Sequence, residues 1–174
     1  MFRVIIVVDL QNDFVTGPLG TKEAVELVPK IKDYIYKNVK QPYTEILFTQ
    51  DSHDKDFNKY IIEGQQLPEH CIALSEGQKI ANDLNHLDHK YFFDSIFKGT
   101  FGYLHWGKEF YTTPDIIELV GLCTDICVIT NALILRSTFP RTRIIVHSDL
   151  CAGTTPEKHK AALEVMRSCL IEVD

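Results

Sequence analysis

Glu118-Leu-Val-Gly-Leu-Cys-Thr-Asp-Ile-Cys-Val-Ile-Thr-Asn-Ala-Leu133 reads as strand, tight turn and helix. The apolar run from Ile116 to Leu122 is short and bounded, as a buried strand requires, and a helical pattern starts near Ile126 after Cys123-Thr-Asp125 turns the chain. Thr124 or Asp125 can cap that helix. Cys127 then falls in its first turn, where free backbone N–H groups and the positive end of the helix dipole favour a thiolate. The alternative for a cysteine in such apolar company is a small buried hydrophobe, and residues elsewhere must decide between the two.

Outward from this unit the same alternation repeats. Val4-Ile-Ile-Val-Val8 is a continuous β-branched run, the pattern of a strand buried on both faces, and it closes on Asp9. Glu45-Ile-Leu-Phe-Thr49 is a second strand, followed at once by Gln50-Asp-Ser-His53. A weaker strand is expected around His89-Lys-Tyr-Phe-Phe93, and further strands over Asp115 to Leu122, Arg143-Ile-Ile-Val-His147 and Leu170-Ile-Glu-Val173. Apolar residues at Ala24, Val25, Leu27, Val28, Ile31, Ile35 and Val39 place an amphipathic helix over Thr21 to Val39, with Pro29 as a local distortion. A short helix is expected over Ile80 to Leu84, another over Cys127 to Ser137, and a last one from Thr155-Pro-Glu157 to about Cys169, with Pro in its first turn. Strands alternating with helices imply a parallel sheet with right-handed crossovers and helices on both faces. The expected fold is therefore α/β, three layers, with a mainly parallel sheet of roughly six strands.

The chain has 174 residues, 45% of them hydrophobic, enough for one buried core, and a single domain over 1–174 is expected. The net charge of −6 and the absence of a long Lys/Arg run argue against a nucleic-acid partner. Val4 to Val8 is too short to span a bilayer and has no small-residue cleavage pattern after it. Five cysteines without CxxC spacing fit a reducing compartment, so a cytoplasmic location is expected, with no membrane partner.

In a parallel sheet, ligands gather at the carboxyl ends of the strands, where Asp9, Asp51, His53, Lys90 and Cys127 would converge on one crevice. Dinucleotide and Walker glycine signatures are absent. A thiolate nucleophile needs a group to hold its charge and a group to move protons. Lys90 suits the first task and Asp9 the second. Asp9 is otherwise a turn former and Lys90 an ordinary lysine at a strand edge. Asp51-x-His53 with His70 offers one oxygen and two imidazoles, a set suited to Zn²⁺, Fe²⁺ or Mn²⁺, although His70 also reads as a loop histidine bonded to a carbonyl. His70 sits in a polar excursion, residues 54 to 79, of a length that is often functional.

Val8-Asp-Leu-Gln-Asn-Asp-Phe14, Thr49-Gln-Asp-Ser-His53, Leu67-Pro-Glu-His-Cys71, His89-Lys-Tyr-Phe-Phe-Asp-Ser95, Gly121-Leu-Cys-Thr-Asp-Ile-Cys-Val128 and Asp149-Leu-Cys-Ala-Gly153 follow one another along nearly the whole chain. This series resembles the motif order of the isochorismatase-like cysteine hydrolases, nicotinamidase branch. The resemblance implies a catalytic triad of Asp9, Lys90 and Cys127. It also implies an oxyanion hole from the amides of Cys123 and Cys127, beside a cis peptide between Leu122 and Cys123. Phe14, Leu122 and Cys123 take substrate-binding positions, and Asp51, His53 and His70 a metal site, zinc first with iron or manganese as alternatives. Lys98 is a second lysine close by. The aromatic and Asp-Ser residues after Lys90 stand at the family's spacing and select Lys90.

The implied activity is hydrolysis of nicotinamide to nicotinate and ammonia through a thioester, with the metal holding the pyridine nitrogen. Two departures bear on the substrate: Ser52 and Leu67 stand where the branch often has tryptophan, which removes a stacking surface that Trp106 or Tyr103 would have to replace. The alternatives are another small amide, carbamoyl or ureido compound on the same machinery, and a non-catalytic thiol protein using Cys123 and Cys127. The partner is a small-molecule amide, and the family resemblance allows a homo-oligomer.

Overall fold

The computed structural model describes residues 1–81, 84 and 94–174. In chain order its elements are β1 (Arg3–Val8), α1 (Asn12–Val15), α2 (Lys22–Asn38), β2 (Thr44–Asp51), α3 (Phe57–Tyr60), α4 (Ile62–Gln66), β3 (Asp94–Lys98), β4 (Ile116–Leu122), α5 (Ile129–Thr138), β5 (Arg143–Ala152), α6 (Pro156–Ser168) and β6 (Glu172–Val173). The six strands form one sheet in the order β3-β2-β1-β4-β5-β6. All five pairings are parallel.

Val4 to Val8 are wholly buried because β1 lies inside the sheet and is covered on both faces. Alternate residues feed two separate cores. Ile5 and Val7 pack with Ala24, Leu27, Val28, Ile31 and Ile35 of α2. Val4, Ile6 and Val8 pack with Ala132 and Leu135 of α5 and with Leu163 and Met166 of α6. This is the three-layer arrangement expected from the sequence. Glu118, a charge in the middle of β4, stays buried because Arg3 (3.5 Å), His147 (3.3 Å) and the Tyr34 hydroxyl surround its carboxylate.

Helix starts follow the local chemistry. The Thr21 hydroxyl accepts from the Ala24 N–H at 3.0 Å and the Thr155 hydroxyl from the Lys158 N–H at 3.2 Å, with Pro156 just inside α6. The α2 helix continues through Pro29. The strand placed at His89–Phe93 lies outside the described residues, and the edge strand beside β2 is Asp94–Lys98. Of the short helix expected over Ile80 to Leu84, Ile80 instead forms an antiparallel bridge to Gln11, residues 82 and 83 lie outside the described residues, and Leu84 stands in a 3-10 turn with its N–H on the Ala81 carbonyl at 2.8 Å.

The chain leaves β1 toward β2 and β3 on one side, and β4, β5 and β6 lie on the other. The order therefore reverses between β1 and β4, the place where a doubly wound sheet opens a crevice at its carboxyl edge. Gly121 sits there, paired with Val8, at φ +118, and a Cβ on it would lie 2.2 Å from the Val8 carbonyl oxygen. Since that obstacle is backbone, it cannot swing aside. Gly121→Ala is expected to destabilise by on the order of 3 kcal/mol or more, combining left-region strain with a steric clash in the sheet centre. Equilibrium urea unfolding checks it, and a variant within about 1 kcal/mol of the parent contradicts the crowding described.

Candidate active site

Strand register brings the charged residues together. Val8 pairs with Thr49, so Asp9 emerges from β1 one residue short of the level where Asp51 ends β2. Asp51 in turn pairs with Lys98, the last residue of β3. Along β3, Ile96 and Lys98 turn inward and Phe97 outward, the two-residue alternation of a strand. Lys98 is thereby buried, with its Nζ 2.7 Å from Asp9 Oδ2, 3.2 Å from Asp51 Oδ1 and 3.7 Å from Cys127 Sγ. The ammonium group beside Asp9 and Cys127, assigned from the sequence to Lys90, is Lys98. Lys90 lies outside the described residues. With β3 at Asp94–Lys98, the lysine that the described residues place at the carboxyl edge of the sheet is its final residue.

Asp9 has φ +45, a left-handed conformation held by a Gln11 N–H to Asp9 carbonyl bond of 2.8 Å. Its Oδ1 accepts from the Thr49 hydroxyl at 2.7 Å. Burial pushes the Asp9 carboxyl above the usual aspartate range, with Lys98 and the Thr49 hydroxyl pulling the other way. Lys98 is held firmly charged: burial opposes its charge, but Asp9, Cys127 and Asp51 outweigh it.

Cys127 lies in a π-helical turn over Thr124–Val128, closed by a Val128 N–H to Cys123 carbonyl bond of 3.1 Å that spans five residues. The peptide between Leu122 and Cys123 is cis, as the resemblance implied. Burial, and then Asp9, push the Cys127 thiol well above its ordinary value, against the pull of Lys98. Burial and Asp9 thus act against the thiolate that the helix position would favour. Asp125 fastens this turn to the loop after β5, accepting from the Thr154 N–H at 2.7 Å and the Thr154 hydroxyl at 2.6 Å. The Thr124 hydroxyl meets His159 Nδ1 of α6 at 2.8 Å.

Beyond Lys98, Asp51 turns its second oxygen to a cluster the sequence had named in part. His53 Nε2 is 3.1 Å and His70 Nε2 3.6 Å from Asp51 Oδ2. A fourth side chain joins them: Glu63 Oε1 lies 3.8 Å from His53 Nε2 and 3.4 Å from His70 Nε2. One ligand atom from each of the four falls within 4.8 Å of all the others. Glu63 was missed because it sits in a short helix of a polar stretch that also holds Asp54, Asp56 and Glu69, and nothing local sets it apart.

The cluster fits a divalent cation. His70 Nδ1 faces the Pro68 carbonyl at 2.7 Å; a carbonyl only accepts, so Nδ1 carries the hydrogen and Nε2 turns to the cluster. That Nε2 is buried without a hydrogen-bond partner. Burial disfavours charge on His70, yet the facing carboxylates of Asp51 and Glu63, 3.6 and 3.4 Å from its Nε2, push it up to about 10, which marks a pocket that favours a positive charge. The His53 ring is stacked on Phe57 with centroids 4.3 Å apart.

A cavity of about 200 Å³ opens over Cys127 and Cys123. Phe14, Leu19, Leu67, Phe101 and Ile126 form its apolar walls, and Glu63, Thr21 and Thr154 its polar points. Phe14 and Cys123 thus line it, whereas Leu122 packs in the α2-side core and is absent from the lining. Neither aromatic suggested as a stacking surface lines it: Trp106 is buried under α5 with its Nε1–H on Asn131 Oδ1 at 3.0 Å, and the Tyr103 hydroxyl bonds Glu109. The aromatics that do are Phe14 and Phe101. Ser52 accepts from the Gln78 amide at 2.7 Å and supplies no wall.

The chain resembles solved and curated proteins along its whole length. It is 27% identical over 187 residues to the nicotinamidase/pyrazinamidase of Mycobacterium tuberculosis, covering 98% of this chain and 97% of that one. The crystal structure of nicotinamidase PncA from Bacillus subtilis superimposes with a TM-score of 0.84 at 26% identity, covering 99% of both chains. A pyrazinamidase of Pyrococcus horikoshii in complex with zinc shares the fold with a TM-score of 0.77 at 24% identity, covering 100% of this chain and 99% of that one. The Isochorismatase domain profile matches residues 3–173, which together with the sheet order and the cysteine turn makes this chain a member of the isochorismatase family.

Proposed function

We propose that this protein is a cysteine amidohydrolase that converts nicotinamide and water to nicotinate and ammonia. The observation that carries the reading is the meeting of Asp9, Lys98 and Cys127 beneath a small apolar cavity, next to a four-residue cluster suited to a metal. Cys127 gives its proton to Asp9 as the sulfur attacks the amide carbonyl, and Lys98 holds the negative charge shared by the two. The backbone N–H groups of Cys123 and Cys127 take the oxyanion. Collapse breaks the C–N bond, the proton on Asp9 leaves with ammonia, and water then cleaves the thioester with Asp9 again as base. The Asp51, His53, Glu63 and His70 cluster would hold a divalent cation, zinc first, which supplies a Lewis-acidic anchor for the ring nitrogen. Zinc is also the metal named in the pyrazinamidase complex from Pyrococcus horikoshii.

The cavity favours a neutral aromatic amide over the carbamoyl and ureido acids. Among the described residues lining it there is no lysine or arginine to receive a substrate carboxylate. The thiol-sensor alternative needs an exposed thiol of low pKa, whereas Cys127 is buried and its thiol is pushed up.

Purified protein with zinc is expected to release ammonia from nicotinamide, and Cys127→Ala to release none. Lys98→Met is expected to cost roughly two to four orders of magnitude in kcat/KM, the range of a group that assists proton transfer. Lys90→Met is expected to stay near wild type, and the reverse ranking of the two lysines would return the role to Lys90. The absence of ammonia from zinc-loaded wild type, across a panel of neutral aromatic amides, would sink the assignment.

Because Asp9 must be ionised to accept the thiol proton and burial raises it, activity is lost as pH falls through a value above the ordinary 3.8. The Thr49 hydroxyl lowers Asp9, so Thr49→Val is expected to move the acid limb of kcat/KM, measured at saturating zinc, to higher pH. A shift to lower pH contradicts this. Glu63→Gln keeps the side-chain shape and removes a charge from the cluster. It is expected to weaken zinc binding about tenfold or more in a chelator competition, and an unchanged affinity would leave Glu63 outside the ligand set.

A further inference from the structure

The loop after β1 contains a residue that none of this chemistry uses. Gln11 is wholly buried, and both ends of its carboxamide are committed to backbone. Its Oε1 accepts from the Asp51 N–H at 2.7 Å, and its Nε2 donates to the Asp51 carbonyl at 2.9 Å and to the Gln78 carbonyl at 2.7 Å. One side chain therefore grips both polar backbone groups of Asp51, the residue whose carboxylate is shared between Lys98 and the histidines. The backbone N–H of the same Gln11 holds the Asp9 carbonyl at 2.8 Å.

We propose that Gln11 is a positioning residue that locks Asp51 at the end of β2, so that one carboxylate oxygen faces Lys98 while the other faces the metal cluster. The inference rests on reading that cluster as a metal site. Strand ends fray where the ladder stops, and the Asp51 backbone lies at that limit. A bidentate amide clamp replaces the missing ladder partner with a side chain of fixed length. Asparagine, one methylene shorter, cannot reach both Asp51 and Gln78 from the same backbone position. Neighbouring Asp13 acts in the same sense on the other side of the cluster, since its Oδ2 accepts from the Cys71 N–H at 2.7 Å, directly after His70. Asn12 reaches the same loop at the Glu76 carbonyl (2.8 Å) and touches neither ligand.

The test is zinc affinity, measured by competition with a chromophoric chelator on the metal-stripped full chain. Gln11→Met, similar in length and without hydrogen bonds, is expected to raise the zinc Kd about 10- to 100-fold, as loss of a ligand-orienting partner does. Asn12→Ala, which removes one bond from the same loop, is expected to keep the wild-type Kd even where it lowers the melting temperature. A Gln11→Met Kd within twofold of wild type, or an equal loss in Asn12→Ala, overturns the inference. Failure of wild type to bind zinc overturns the metal site with it, whereas tight wild-type binding and an unaffected Gln11→Met overturn the role of Gln11 alone. If Gln11→Met does not fold, Gln11→Glu is read against the same outcomes; it keeps an acceptor for the Asp51 N–H and loses both donated bonds. The Gln11 carboxamide N–H resonances of wild type are further expected to shift on zinc addition, and unchanged resonances count against the coupling.

Discussion

The buried ammonium of Lys98 is the interaction on which the site depends. Placing a lysine under the rim of a sheet is costly, since an unpaired buried charge is penalised by several kcal/mol. Here the cost is offset by Asp9 at 2.7 Å and Asp51 at 3.2 Å, two carboxylates that would repel each other without the cation between them. Neither acid sits comfortably alone: Asp9 is entirely shielded from water, and Asp51 nearly so. The three groups therefore form a single electrostatic unit in which removing any one strands the others. The same unit sets the chemistry, because the sulfur of Cys127 approaches the ammonium at 3.7 Å and shares its field with Asp9.

Parallel pairing explains how residues so far apart in sequence reach this unit. Each strand ends on the same side of the sheet, so a residue just past a strand terminus is delivered to the common edge whatever its place in the chain. Asp9 follows β1, Asp51 and Lys98 end β2 and β3 and face each other across one rung, and the Cys127 turn follows β4. The reversal of strand order between β1 and β4 leaves room above the edge for a ligand, and Gly121 lets the two strands approach closely enough to support the turn. On the far side of Asp51, the excursion after β2 brings Glu63 and His70 back over the same edge. His53 N–H bonds the Cys71 carbonyl at 3.0 Å, which ties the excursion to the end of β2.

What could be read from the sequence divides along physical lines. Interior strands announce themselves: Val4 to Val8 and Ile116 to Leu122 are apolar because both faces are covered, and Thr155-Pro156 marks a helix start by its hydrogen-bonding chemistry alone. The edge strand did not. Asp94-Ser-Ile-Phe-Lys98 has polar ends, and its inward positions include a charged residue, so it carries a weaker apolar signal than the aromatic run before it. A lysine at a strand edge ordinarily faces solvent, and only its tertiary partners reveal that Lys98 does not. Glu63 and Phe101 were illegible for a similar reason. Each lies in a segment with no strong periodicity and reaches the site through the path of a loop, which local pattern does not encode.

The state of the nucleophile shows one physical effect overriding another. A helix N-terminus stabilises a thiolate, but typically by only about 0.3–1 kcal/mol. Burying an ion costs several kcal/mol, and the neighbouring Asp9 carboxylate adds repulsion, so the sum favours a neutral thiol in spite of Lys98. In the proposed mechanism the sulfur passes its proton to Asp9 as a carbonyl arrives to accept the electrons, with the Lys98 ammonium beside both. The proposed mechanism therefore asks Asp9 to be a good enough base, within a dry pocket, to take a proton from a reluctant thiol. Burial supplies that basicity, so the same desolvation that suppresses the thiolate also strengthens the base that generates it.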